Sequence, residues 1–253
     1  MILFLRLLVY VSPVLLTGSG VLLYFFPAFW HVILLASGFG ILLVLIAIHQ
    51  GFSIASIIEF YLTPPLVIFG LFGFLLFVEQ PVIFFASLLV TAGLLGVFLD
   101  SYYSFHYDQE RFQPRSLANT TSSLNILAMF FMGSALFGLL RFLNQPVWAL
   151  LLVWLLGVTL STLSAMAVSM IPFGQSKVSI LIISIVLVES FWVLALSPLG
   201  MSVAGLVLTS LYYMIVNVSR YYYVHALDRS VLKRYLIIGC ATIAIALLSA
   251  PWA

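Results

Sequence analysis

Residues 81–106 read PVIFFASLLVTAGLLGVFLDSYYSFH. From Pro81 to Leu99 the run holds no charged residue, and a helix needs roughly 20 apolar residues to cross the hydrocarbon core of a bilayer. The other long apolar runs of the chain lack the period-two alternation of membrane barrel strands. In hydrocarbon every backbone N–H and C=O must pair within the protein, so such runs span as helices. The fold class expected is therefore all-α: a polytopic integral membrane bundle. Composition agrees. Nine Lys/Arg and seven Asp/Glu in 253 residues, at a mean hydropathy of +1.27, leave too little charge to cover a soluble surface.

The end of that stretch recurs. Tyr102-Tyr103-Ser104-Phe105-His106 is echoed by Tyr221-Tyr222-Tyr223-Val224-His225, about 119 positions later. The same offset pairs Arg115 with Arg234 and Leu117 with Leu236, and small slips pair Trp30 with Trp148, Pro27 with Pro146 and Pro81 with Pro198. The chain reads as one membrane unit written twice. Residues 1–119 form the first four-helix repeat, 120–232 the second, and 233–253 an additional helix.

Nine spans are expected near 7–26, 29–48, 62–79, 81–104, 121–142, 146–169, 178–197, 199–219 and 233–250. The first is read as a retained span rather than a cleaved leader, because no A-x-A-like site followed by soluble sequence is present. Pro27, Pro81, Pro146 and Pro198 stand where a following helix starts, a position that tolerates the missing N–H. Pro13 falls inside the first span.

With nine spans, Arg6, Arg111, Arg115, Lys177, Arg220, Arg229, Lys233 and Arg234 lie on one side and Arg141 alone on the other. The positive-inside rule then puts the N-terminus in the cytoplasm and the C-terminus outside, in the plasma (cell inner) membrane. Repeats of four spans each point the same way, as in transporters whose repeats share a pseudo-two-fold axis along the membrane normal.

The strongest candidate site is a cytoplasmic rim at the ends of spans four and eight. Tyr102 and His106 are four apart, as are Tyr221 and His225, so each pair is expected on one helix face. With Arg111, Arg115, Arg229 and Arg234 nearby, two facing clusters would suit an anionic headgroup, since guanidinium donates two parallel hydrogen bonds to phosphate. Interfacial Tyr and flanking Arg also serve as plain membrane anchors.

Three intramembrane polar residues stand apart. Glu189 sits within span seven, where a carboxylate should face the bundle interior, be paired or be protonated. Asp100 and Asn217, matched at a slightly shorter offset, read as hydrogen-bonding glue between helices. A polar stripe of His49, Ser53, Ser56, Glu59 and Thr63 recurs at helical spacing and suggests an interfacial helix before span three.

No cofactor or metal is expected. A retinal Schiff base needs a lysine within a span, and Lys177 and Lys233 lie at helix ends. No P-loop, G-x-S-x-G or H-E-x-x-H occurs, and a haem held by His106 and His225 has no other mark of a haem pocket. Cys240 is the one cysteine, which rules out an intrachain disulfide.

The leading functional expectation is a protein that binds or transports a lipid or other amphiphilic anion through the rim, without catalysis. The alternatives are a structural or assembly subunit, and an intramembrane lipid-modifying enzyme using His106 or His225 as base. Membrane lipids and other membrane-protein subunits are the expected partners. A net charge of +2 offers nothing to nucleic acid.

Overall fold

The computed structural model describes residues 2–49, 61–108 and 114–250. Nine α-helices account for nearly all of it: α1 (Ile2–Phe25), α2 (Trp30–Ile48), α3 (Thr63–Leu75), α4 (Pro81–Tyr107), α5 (Pro114–Phe142), α6 (Val147–Val168), α7 (Phe173–Ala195), α8 (Met201–Tyr223) and α9 (Arg229–Leu248). Eight are long and apolar enough to cross a membrane. The fold is that of a multi-pass helical membrane bundle.

The exception is α3. A full span was expected over 62–79, but the helix has 13 residues, about 20 Å, and closes in tight turns at Phe77 and Val78. Pro81 keeps the chain from running on as helix into α4, because the residue before a proline is pushed into extended backbone, and Gln80 has φ −78° and ψ 116°. What α3 lacks in length it gains in cover: nine of its residues are buried.

Prolines punctuate the chain much as expected. Pro81 opens α4, Pro146 caps α6, and Pro27 opens a 3-10 turn ahead of α2. Two more, Pro114 and Pro172, start α5 and α7 earlier than their hydropathy indicates. Pro198 lies just ahead of Gly200, the cap of α8.

Within the first four helices, α1 packs on α2 and α4, and α3 on α2 and α4. Among α5 to α8, α5 packs on α6 and α8, and α7 on α6 and α8. The two groups meet chiefly through α3 and α5, and α9 lies against α8. Close approach at these seams needs small residues, as is usual where no water drives helices together. A Cβ on Gly70 of α3 would stand 3.1 Å from the backbone of Ala128 and Met132 in α5. Gly205 of α8 meets Ser134 of α5 backbone to backbone. The largest buried side chain, Trp154 of α6, donates its indole N–H to Leu187 O of α7 at 3.0 Å.

Helices joined by such short connections alternate in direction. Arg6, Lys177, Arg220, Arg229, Lys233 and Arg234 consequently gather at one end of the bundle, the basic end, and Arg141 stands at the far end.

Candidate functional site

Two polar clusters occupy the basic end. The first joins the close of α2 to the close of α4. His49 follows the last turn of α2, and its Nδ1 shares a 2.7 Å hydrogen bond with the Tyr102 hydroxyl. The His106 ring stands edge-on to both, 5.2 Å from His49 and 4.9 Å from Tyr102. Tyr61 completes the group edge-on to His49, and its hydroxyl donates to Leu45 O at 3.2 Å. Burial pushes the Tyr61 phenol above its ordinary pKa, and the Tyr102 hydroxyl offsets part of that. His106 Nε2 is buried without a hydrogen-bond partner among the described residues.

The second cluster centres on Arg220, in the last turn of α8. Its Nε donates to Ser169 Oγ at 2.6 Å, and its Nη1 to Ser122 Oγ at 3.3 Å and Asn217 Oδ1 at 3.4 Å. All three acceptors are neutral. No carboxylate pairs with this guanidinium among the described residues, and Nη2 has no hydrogen-bond partner there. Tyr212, Tyr221 and Tyr235 lie near the charge.

Deeper in the bundle the hydroxyls and amides continue. Tyr212 and Ser161 hydroxyls are 2.8 Å apart, and Asn125 Nδ2 donates to Ser161 O at 3.4 Å. Thr63 donates to Asn125 Oδ1 at 2.9 Å and therefore accepts from Ser164 at 2.7 Å. This network ties α3, α5, α6 and α8 together. A cation surrounded by neutral oxygens in a low-dielectric setting keeps its appetite for an anion.

The expected rim residues fall into separate places. Tyr102 and His106 belong to the first cluster, and Asn217 to the second. Tyr221 is at the surface beside Tyr235, with ring centroids 5.6 Å apart. Arg229 and Arg234 are exposed on α9, where the Arg229 N–H bonds Asp228, the cap. Asp100 is exposed and lines a groove of about 560 Å³ between α1 and α4. Arg111 lies outside the described residues, as do Ser53, Ser56 and Glu59 of the polar stripe, and Arg115 is in the first turn of α5.

Three expectations need correction. His225 does not share a helix face with Tyr221, because α8 ends at Tyr223 and His225 sits in the closing turn with φ 54°. Its N–H bonds Tyr222 O and that of Ala226 bonds Tyr221 O, which spends the last carbonyls of the helix. Nor do spans four and eight face one another: α5 packs on both α4 and α8, which share no packed interface among the described residues. Glu189, expected to face the bundle interior, be paired or be protonated, does not face the interior: it is exposed on the outer face of α7.

The centre that sequence reasoning missed is Arg220, counted only as a topological charge. The signal was available. Asn217 and Arg220 are three apart on one helix face, while Thr120-Thr121-Ser122-Ser123 and Ser161-Thr162-Leu163-Ser164 place hydroxyls at the same depth of α5 and α6.

An apolar slot of about 670 Å³ opens between α1 and α2, lined by Gly18, Leu22, Gly40 and Val44 and floored by Ile68 and Leu95. The hydroxyls of Ser12, Ser19 and Ser37 turn back onto carbonyls of their own helices, so the wall is almost wholly hydrocarbon. The chain matches no protein-family model, no curated protein and no solved structure.

Proposed function

We propose that this membrane protein binds an amphiphilic anion, its phosphate-type headgroup held by Arg220 at the basic end. The observation that carries the reading is the Arg220 guanidinium, half-buried, without a carboxylate, and with one edge of its fork unspent. Arginine is suited to that ligand because two N–H groups meet two phosphate oxygens in one plane.

The tandem-repeat organisation, 1–119 and 120–232 followed by 233–253, belongs to the same proposal. It is supported by matched packing: α1, α2, α3 and α4 touch in the same pairs as α5, α6, α7 and α8. Placement in a plasma membrane with the N-terminus cytoplasmic rests on the clustering of Lys and Arg at the basic end. Parallel repeats of this kind favour carriage of the lipid over simple retention.

Native mass spectrometry tests the binding step. Protein exchanged into mixed phosphatidylglycerol and phosphatidylcholine should retain phosphatidylglycerol preferentially, and Arg220→Gln or Ser122→Ala should erase that preference while Arg229→Gln keeps it. Displacement by millimolar inorganic phosphate would mark a free-phosphate site instead of a lipid site. Equal retention of both lipids by the unaltered protein removes the proposal.

A second reading, a structural subunit, is favoured by α9. Of its 20 residues only Gly239 and Ala246 are buried, so most of its surface is left for lipid or another chain.

A further inference from the structure

The covered face of α7 runs through Ser176, Ile180, Ile183, Ser184, Leu187 and Phe191, at the spacing of a single helix stripe. Glu189 stands two residues from both Leu187 and Phe191, about 200° around the helix, and so falls on the opposite face. Its surroundings there are the exposed Ile182, Ile185, Trp192 and Val193.

Depth makes the position costly. Glu189 is six residues before the end of α7 at Ala195, about 9 Å from it and inside the hydrocarbon. Helical side chains tilt toward the helix N-terminus, which here is toward the bilayer centre, so the carboxyl leans away from the nearer water. Ionisable groups at such depth ordinarily face protein or a wet cavity. Among the described residues no side chain bonds this one. Among the described residues, too, the only Lys or Arg toward that end is Arg141, whose Nη2 donates to Ser197 O at 2.9 Å and whose guanidinium lies over Phe137.

We infer that the outer face of α7 docks a transmembrane helix of a different protein, one that presents a Lys, Arg or other hydrogen-bond donor at the depth of Glu189. Charge complementarity selects that occupant. A second copy docked face to face sets carboxyl against carboxyl, which supplies a donor only at the cost of a proton on one of them, and lipid tails carry no donor at all. The surface shares no residue with the Arg220 cluster, so either assignment can fail alone.

The test uses the full chain at native level in its own membrane. A photoreactive amino acid at Ile182 should give one discrete protein adduct, and the same group at Leu152 on the outer face of α6 should give none. Mass spectrometry of the cross-linked peptide should show an apolar helix interrupted by a basic or amide residue. Glu189→Leu should reduce the adduct at least tenfold, and Glu189→Gln, which still bonds a donor, should largely keep it. Dicyclohexylcarbodiimide, a reagent for carboxyls in hydrocarbon, should label Glu189 in detergent-purified protein but not in native membranes. A cross-linked homodimer, lipid adducts only, an adduct indifferent to Glu189→Leu, or equal labelling in membrane and detergent would each overturn the inference.

Discussion

Arg220 Nε donates to Ser169 Oγ at 2.6 Å, fastening the last turn of α8 to the residue that caps α6. Ser169 in turn donates to Ala165 O, and Asn217, the neighbouring acceptor, donates to Tyr213 O. The acceptors meet the guanidinium with their lone pairs, so removing it takes a donor from the Ser169, Ser122 and Asn217 oxygens.

That arrangement separates stability from binding. Replacing a buried ion pair by apolar residues of similar volume is often neutral or stabilising, because the desolvation cost disappears with the charges. Removing Arg220 likewise trades that cost against three hydrogen bonds to neutral acceptors. Arg220→Met should therefore leave thermal stability in detergent within about 1 kcal/mol of the parent. It should abolish the additional stabilisation conferred by phosphatidylglycerol. Differential scanning fluorimetry with and without that lipid reads both effects, and a large loss without lipid would make Arg220 a structural residue.

Tyr102→Phe tests the first cluster. The ring is fully buried and should stay in place, so the loss is that of the hydroxyl's interactions, the hydrogen bond to His49 among them, at about 1 kcal/mol per bond. Tyr221→Phe, at the surface, should fall within about 0.5 kcal/mol of the parent. Equal losses from the two substitutions would restore the symmetric rim that the duplicated sequence suggests.

His225→Gly should raise stability by about 1 kcal/mol. The residue occupies a left-handed turn that costs a side chain roughly that much and costs glycine nothing. Retention of phosphatidylglycerol should not change. A drop in stability, or lost lipid, would give His225 a role beyond ending α8.

Two glycines make a matched pair. Gly70→Ala forces a methyl against the backbone of α5 and should cost about 1–3 kcal/mol by overpacking. Gly18→Ala meets nothing within 4 Å and should be neutral or gain up to about 1 kcal/mol from helix propensity. Thermal midpoints of the two variants check the α3–α5 seam directly.

The helical class was legible because hydrocarbon permits few solutions, and α4 begins at Pro81 as its sequence announces. Proline placement and charge sorting depend on local rules, so they survive folding. The site was less legible because it depends on which helices become neighbours. Tyr102 and Tyr221 look equivalent in the chain, yet one is buried against His49 and the other lies at the surface. His106 and His225 share a pattern, but one completes a helix while the other turns out of it. Arg220 precedes Tyr221 directly, yet its role is invisible in the chain because its partners come from α5 and the end of α6, far away in sequence. Glu189 faces outward because, among the described residues, α7 packs mainly on α6 and α8, a fact no hydropathy window contains.

The brevity of α3 bears on how the protein is made. Thirteen residues fall short of what an insertion machinery accepts as a membrane segment on hydrophobicity alone. The most extensive surface that holds α3 is α5, synthesised later. The nascent chain therefore carries an unfinished seam until about residue 142 has emerged, and α5 arrives as the wedge that seats a helix already made. Substitutions along the α5 face of α3 should register first as poor yield and early degradation, before any change in the behaviour of the mature protein is measurable.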